Sequence, residues 1–452
     1  MAWSRAAAAI QSPLLRRFRN AHVNHKRIAA GAITIALLTM LAKVFVAARE
    51  VAIAWRYGVS RTVDAYQLAL TIVTWVPVML TALMAVVLVP RLVVLGRRKP
   101  AREQFISEFN GTVLMVGIAI GALTFVGAPF VARVMASGVD PTTVRLTTTM
   151  VKSLSAVPLF MVVAGYFTAR LQAKERFSYT VTEAVPALAI AGFVLGPFVS
   201  RSIVPLILGA SIGYLAQVLI LSRMVASSDP PLGKLSLKHR SQEWGTFYNA
   251  LLMTGLGQLV LTATTPIDQA FAARLGPGAV ATLGYATRIV TLFSGFATIV
   301  VGRALLPVLS NAVANGEMRL GRRQVLQWSA LLFAAAVVAS ALLWIAAPEL
   351  VRLLFQRGAF DADASAKVAD TLRYGVLQLP FYFGGIALVQ WIAAKGSYSI
   401  LLWTACLALA MKLALNIALV TILGYGLAGL MWGTAGMYAV SYAFQFFVIV
   451  KK

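Results

Sequence analysis

Apolar residues run along this chain in long unbroken stretches, and the polar positions gather in short clusters between them. A helix needs about 20 residues to cross roughly 30 Å of hydrocarbon. Twelve stretches reach that length: 28–57, 62–94, 105–136, 142–172, 180–200, 202–226, 244–275, 278–313, 322–356, 364–394, 397–423 and 425–450. Inside hydrocarbon every backbone polar group has to be satisfied within its own segment, so runs of this kind read as helices. The pattern predicts an all-α polytopic membrane protein with 12 transmembrane helices, and the connections are too short to hold a soluble catalytic domain.

Composition agrees. The chain is 60% hydrophobic and 12% charged, against about 25% charged in a soluble domain. Its 40 basic and 15 acidic residues give a net charge of +25, but the cations do not mark a nucleic-acid surface. They fall between the runs: Arg16, Arg17, Arg19, Lys26 and Arg27 first, then Arg97-Arg98-Lys99 and Lys174-Glu175-Arg176. Lys234, Lys238 and Arg240, then Arg319, Arg322 and Arg323, and lastly Lys451-Lys452 continue the series. These are the even-numbered connections and both termini. The positive-inside bias therefore predicts a multi-pass inner-membrane protein with both termini cytoplasmic. Residues 1–27 read as a basic cytoplasmic N-terminal extension, with a cleaved targeting peptide as the alternative. Cys406 is the single cysteine, so no internal disulfide is expected, and His22, His25 and His239 sit in polar segments, so no histidine metal site is expected.

The chain repeats itself. Glu50 with Arg56-Tyr57-Gly58 matches Asp268 with Arg274-Leu275-Gly276, and Leu88-Val89-Pro90 matches Leu305-Leu306-Pro307. Ala128-Pro129, Val157-Pro158 and Ala173-Lys174 find partners in Ala347-Pro348, Leu379-Pro380 and Ala394-Lys395, in the same order. Each half holds six runs and starts on the same side, so the halves are parallel repeats, the arrangement that places a substrate path between them in many transporters. The expected organisation is an N-terminal six-helix lobe at 28–226, a cytoplasmic linker at 227–243 and a C-terminal six-helix lobe at 244–452, around a central cavity.

Charges inside the runs single out candidate sites. Lys43, Arg49, Arg91, Lys152, Arg288, Arg303 and Lys412 lie within them, as do Glu50, Glu183, Asp268 and Asp370, with Asp64 near the outer end of the second. A basic residue at the bilayer centre costs at least about 2.5–3.5 kcal/mol, so each should face protein or water. Cations outnumber acids, which suits a phosphate or pyrophosphate held by charge-assisted hydrogen bonds. Arg91 and Arg303 stand near helix ends, where snorkelling to headgroups is the expected reading, ahead of a cavity role. Lys43 and Glu50 are seven residues apart and share a face, whereas an ideal helix turns Arg49 about 120° away from Lys43. Substrate contact competes there with internal pairing such as Arg49 with Asp64. Lys412 is deepest, with Asn416 one turn on. Asp268 is its expected partner, and packing alone is the competing account.

There is no Walker A sequence, because Gly233-Lys234 lacks both the upstream glycine and the following Ser or Thr. No metal-ligand spacing or nucleophile motif appears either, so no cofactor is expected, and the chain reads as a transporter rather than an enzyme. Energy would come from the membrane potential, Na+ or H+, or a downhill substrate.

Lys43-Val-Phe-Val-Ala-Ala-Arg49-Glu50, then Tyr57-Gly58-Val-Ser and Asp64-Ala65, resembles the first-span signature of the MurJ/MviN family. Tyr285-Ala286-Thr287-Arg288, Leu306-Pro307 and Leu354-Phe355-Gln356-Arg357-Gly358-Ala359-Phe360 resemble further motifs of that family, and the likeness covers about residues 30–450. The resemblance implies a lipid II flippase of the multidrug/oligosaccharidyl-lipid/polysaccharide exporter superfamily, working by alternating access in peptidoglycan and cell-wall synthesis. It implies that Arg49 and Arg288 hold the pyrophosphate, that Lys43 replaces a family arginine and that Asp64 is an acidic cavity residue. Lys412 stands near where some members ligate sodium, which implies a tethered ammonium in place of that ion. Pro77-Val78 stand where the family usually has a basic pair, and two C-terminal spans common in the family have no counterpart. A polyprenyl-pyrophosphate-linked saccharide for capsule or exopolysaccharide is therefore an alternative cargo. Expected partners are the lipid-linked saccharide, membrane lipids and cell-envelope glycosyltransferases. The competing function is a drug or metabolite/cation antiporter of the same superfamily, which would favour acids in the cavity.

Overall fold

The computed structural model describes residues 23–96, 99–135, 140–196, 202–229, 235–314 and 316–451. They form helix after helix. The first half holds α1 (Val23–Tyr57), α2 (Arg61–Leu83), α3 (Val89–Leu95), α4 (Lys99–Met135), α5 (Pro141–Ser153), α6 (Val157–Ala173), α7 (Ala184–Leu195) and α8 (Val204–Ser228). The second holds α9 (Glu243–Thr262), α10 (Thr264–Ala273), α11 (Ala279–Ala314), α12 (Met318–Phe355), α13 (Ala362–Val376), α14 (Leu379–Ala394), α15 (Tyr398–Asn416) and α16 (Gly426–Lys451). A π-helical turn, Met84–Leu88, joins α2 to α3; another, Ile417–Ile422, extends α15; and a 3-10 stretch, Phe177–Glu183, leads into α7.

These limits fall within a few residues of most of the apolar runs. By length and apolarity, eight helical stretches among the described residues suffice to cross a membrane, and ten do if each of two bent pairs is one span. One bend is 50°, between α5 and α6, and the other is 45°, between Glu243–Leu252 and Gly257–Ala273. The first has a local cause, since Pro158 at the start of α6 removes a backbone donor. The expected count of twelve adds α1 and α11, which are 35 and 36 residues long. Residues 1–22 of the basic extension, Arg97, Arg98, residues 230–234 of the linker, Lys452 and the Arg303 side chain lie outside the described residues.

Three apolar clusters hold the described helices together, and their membership differs. The first joins the halves: Ile53, Tyr66 and Leu68 of α1 and α2 pack with Tyr285, Phe355 and Phe360 from α11, α12 and the turn after it. The second belongs to the first half, with Leu92, Phe105, Phe109 and Phe167, and recruits only Trp244 and Phe247 of α9 from the other. The third, with Leu309, Val325, Leu388, Trp391 and Ile449, lies wholly in the second half. The helix ends around Gly58 are thus sealed across the halves. At the opposite end, where the linker runs, α9 alone joins the first half's cluster. Arg91 is tied down there: it pairs with Glu243 at 2.5 Å instead of snorkelling to a headgroup.

A second lock sits where α4 begins and α6 and α8 end. Asp229 is 2% exposed and takes Arg102 at 2.6 Å and Arg170 at 2.9 Å, with Lys174 at 3.5 Å. Burial alone would raise its pKa, but the hydrogen bond from Arg102 and the charge of Arg170 hold it below the usual carboxylate range. A depressed folded pKa means this stabilisation is complete above the unfolded value of about 3.9 and is lost as pH falls through the folded value. Asp229→Asn is expected to cost about 1–3 kcal/mol at neutral pH. The loss should shrink as pH falls below about 4, the unfolded value, and vanish only once pH has passed the depressed folded value, where the native carboxyl is protonated too. Thermal unfolding of the two proteins in detergent across pH checks this, and equal melting at pH 7 would refute it.

Candidate functional site

The site is assembled from both halves. At the Gly58 end, α1 runs into the corner after α12. Ala359 N donates to Trp55 O at 2.8 Å, and Tyr285 Oη donates to Gly58 O at 3.2 Å. Gly58 and Gly358 have φ of +59° and +64°, and each faces the other half's backbone. A Cβ on Gly58 would run into the Ala359 carbonyl, and one on Gly358 into the Trp55 carbonyl. Both positions therefore demand glycine twice over, for backbone conformation and for close approach. Two of the family-like motifs are the two faces of one contact.

Asp64 belongs to this contact. Expected in the cavity or paired with Arg49, it does neither. The side chain is 2% exposed and accepts from Gly278 N and, at 2.7 Å, from Ala281 N. It caps the N-terminus of α11 from the other half, where free N–H groups and the helix dipole favour a carboxylate.

Deeper in, three of the expected residues meet. Glu50, 5% exposed, accepts from Arg49, its neighbour in the chain, and pairs with Arg288 Nε of the second half at 3.3 Å. Arg49 is 9% exposed, whereas the Arg288 side chain is 48% exposed. Two guanidinium groups thus share one carboxylate, which leaves surplus positive charge. Arg288 reaches across to Glu50, so this carboxylate ties the two halves together while much of the arginine side chain stays uncovered. Tyr66 and Tyr214 lie within electrostatic range of Arg49, and neither is singled out by the sequence. Lys43 does not join the group: it is exposed, and the acid within its reach is Glu183.

A separate polar cluster lies inside the second half. Lys412 has no exposed side-chain surface and donates to Asp268 Oδ2 at 2.8 Å, the acid expected to face it, and also to Thr434 Oγ1. Asn416 Nδ2 donates to Asp268 Oδ1 at 3.1 Å. The π-helical turn begins at the next residue, Ile417, and such turns are frequent at functional sites. Thr434 is the member that sequence reasoning misses, because a threonine inside an apolar helix bonds its own backbone as a matter of course. Glu50 and Asp268 occupy equivalent places in the two repeats, yet one works between the halves and the other within a single half. Among the described residues no group of three or more His, Cys, Asp or Glu could hold a metal ion.

Comparison with known proteins agrees with this architecture. A family model described as "Lipid II flippase MurJ" matches residues 53–452. A protein of Burkholderia cenocepacia named "Lipid II flippase MurJ" is 26% identical over 404 residues, covering 81% of this chain and 72% of its own. A protein of Thermotoga maritima named "Probable lipid II flippase MurJ" is 24% identical, with 91% and 83% covered. Among solved structures, a "Lipid II flippase MurJ, inward closed conformation" superposes with TM-score 0.81 at 18% identity, covering 93% of this chain and 88% of the other. An inward-facing multidrug transporter of the MATE family gives 0.78 at 14% identity, and an outward-facing one gives 0.62 at 15%. At these identities the structural likenesses speak to the fold alone.

Proposed function

We propose a flipping function on the ground that the chain belongs to the lipid II flippase MurJ family: it carries lipid II, or a closely related polyprenyl-pyrophosphate-linked saccharide, from the cytoplasmic to the outer leaflet. It is a multi-pass membrane protein whose chemistry is transport, and we assign both termini and the linker to the cytoplasmic side of a bacterial inner membrane. The observation that carries the reading is the sharing of Glu50 by Arg49 and Arg288, with the Arg288 side chain left half exposed. A pyrophosphate entering the gap offers more acceptor oxygens than Glu50 and takes the two guanidinium groups through charge-assisted hydrogen bonds.

In this reading the moving units are residues 28–226 and 244–452, joined by the linker. With the Gly58 end sealed, the triad is reached from the cytoplasmic side. Passage to the outer side requires that Asp64 release α11 and that the Gly58 and Gly358 corners part. A divalent headgroup moving outward gains roughly 4.6 kcal/mol from a 100 mV potential, negative inside, at about 2.3 kcal/mol per charge. We assign the driving force to that potential and leave no role for a bound sodium, because the Lys412 ammonium already occupies the centre of the Asp268, Asn416 and Thr434 cluster. Cell-envelope glycosyltransferases that consume the product are the proposed partners.

The test is transbilayer movement of fluorescent lipid II in liposomes containing the purified protein. Protein-dependent movement that rises with an inside-negative potential, in the direction of charge export, is expected. Movement no faster than in protein-free liposomes would overturn the assignment.

A further inference from the structure

At the linker end of the second half, α12 and α15 begin where α14 and α16 finish. Between them opens a hollow of about 300 Å³ lined by Arg319, Arg322, Trp391, Lys395, Ile400 and Ile449, among others. Three cations face it and, among the described residues, no acid does. Glu317, just before α12, is exposed and is not part of the lining. Among the described residues the ion pairs within this half are Arg352–Glu349, Lys367–Asp363, Arg373–Asp370 and Lys412–Asp268, and Glu243 and Arg288 pair across to Arg91 and Glu50, so these three cations are not consumed by acids among the described residues.

The floor is apolar and firmly built. Trp391 and Ile449 are 3% and 4% exposed and belong to the cluster with Leu309, Val325 and Leu388. Lys395 Nζ stands 5.9 Å from the centre of the Trp391 ring. Leu320, Tyr398 and Val450, each next in the chain to a lining residue, are exposed by 50%, 67% and 50%, which is how a helical bundle looks where it meets lipid. An aromatic side chain at that level suits the interface between acyl chains and water. The first turn of α12 also points into the region, and its dipole adds to the attraction for an anion. A soluble anion would use the cations but gain nothing from the apolar floor and rim.

We propose that this hollow is a binding site for the headgroup phosphate of an anionic phospholipid, held by Arg319, Arg322 and Lys395 with its glycerol and upper acyl carbons on Trp391, Ile400 and Ile449. Basic pockets between helices on the cytoplasmic side suit such headgroups. The site is at the other end of the second half from Arg288 and is separate from the path proposed for the flipped lipid. It rests on the reading of this end as a membrane boundary, not on the identity of the cargo.

The experiment uses the full chain reconstituted with phosphatidylglycerol and phosphatidylcholine, gently extracted, and weighed by native mass spectrometry to count retained lipids. Wild type is expected to keep phosphatidylglycerol over phosphatidylcholine. Each juxtamembrane cation is worth about 5-fold in affinity, so Arg319→Gln/Arg322→Gln/Lys395→Gln is expected to weaken retention on the order of 100-fold. The control removes three exposed cations at the same end of the molecule, as Arg223→Gln/Lys238→Gln/Arg240→Gln, and should retain the lipid. Should the triple variant prove unstable in phosphatidylcholine alone, Arg322→Gln by itself is expected to show the loss of about 5-fold. Equal retention by wild type and the site variants, or equal loss in the control, would overturn the site. Inorganic phosphate that binds and strips the lipid at millimolar concentration would reassign it to a soluble anion.

Discussion

Arg288→Ala is expected to abolish growth support in a strain depleted of its own lipid II flippase, while the protein accumulates in the membrane at the wild-type level. The two halves of that expectation have different causes. The fold tolerates the change because the Arg288 side chain is 48% exposed and Glu50, the acid it meets at 3.3 Å, keeps Arg49 as a partner. Transport does not tolerate it because the guanidinium is the open half of the proposed pyrophosphate clamp. Hydrogen bonds to charged groups contribute about 1.5–3 kcal/mol each, so losing a bidentate pair removes about 3–6 kcal/mol of headgroup binding, more than 100-fold. Arg288→Lys keeps the charge but not the planar fork and should fall between the two. Arg49→Ala should also stop transport, but with a fall in stability, since Arg49 is 9% exposed and holds the buried Glu50. Complementation scored against membrane protein level separates these outcomes, and normal growth with Arg288→Ala would remove the clamp from the mechanism.

Helix limits were legible along the chain because the hydrocarbon thickness sets a minimum length that soluble packing does not impose. The limits of α16 fall close to those drawn from apolar runs alone, as do the outer limits of α2 with α3, of α13 with α14 and of α15 with its π-helical extension. Interruptions inside the runs were not legible. The π-helical turns at Met84–Leu88 and Ile417–Ile422 insert a residue without changing hydrophobicity. Lys412 and Asp268 could be paired from sequence because a deep ammonium has few acids to choose from. The same reasoning failed for Asp64. A carboxylate that caps a helix from another segment leaves no local spacing to read, and here the capped N–H groups belong to Gly278 and Ala281 of the other half. It failed in the same way for the Gly58 and Gly358 corners, whose requirement for glycine comes from a meeting between distant motifs. Arg49 shows a third kind of limit. Helical geometry turns it away from the face of Lys43 and Glu50, but a long guanidinium side chain swings back to its neighbour's carboxylate. Direction along the backbone constrains Cβ and says much less about the tip of an arginine.

Lys412→Ala is expected to create a dependence on sodium that the wild-type protein lacks. In the native chain the ammonium sits among Asp268 Oδ2 and Thr434 Oγ1, and Asn416 holds the second Asp268 oxygen. Removing one partner of a buried ion pair typically costs about 3–5 kcal/mol because the other charge stays behind without compensation. What stays behind here is a carboxylate and a hydroxyl around a volume the side chain has vacated, hard oxygen donors suited to a small cation, with the Asn416 amide still holding the carboxylate in place. Binding of sodium to the folded state alone would then restore stability as RT ln(1 + [L]/Kd), about 2.7 kcal/mol when the ion is at 100 times its dissociation constant. Melting of Lys412→Ala in sodium chloride against choline chloride should therefore diverge with concentration, and that of wild type should not. Lys412→Met/Asp268→Leu, which removes both charges and fills the space, should lose less stability than Lys412→Ala and show no response to sodium. Identical melting of Lys412→Ala in the two salts would mean that the cluster only pins α10 against α15 and α16. The lysine would then be packing, and the proposal that its ammonium stands in for a bound ion would fall.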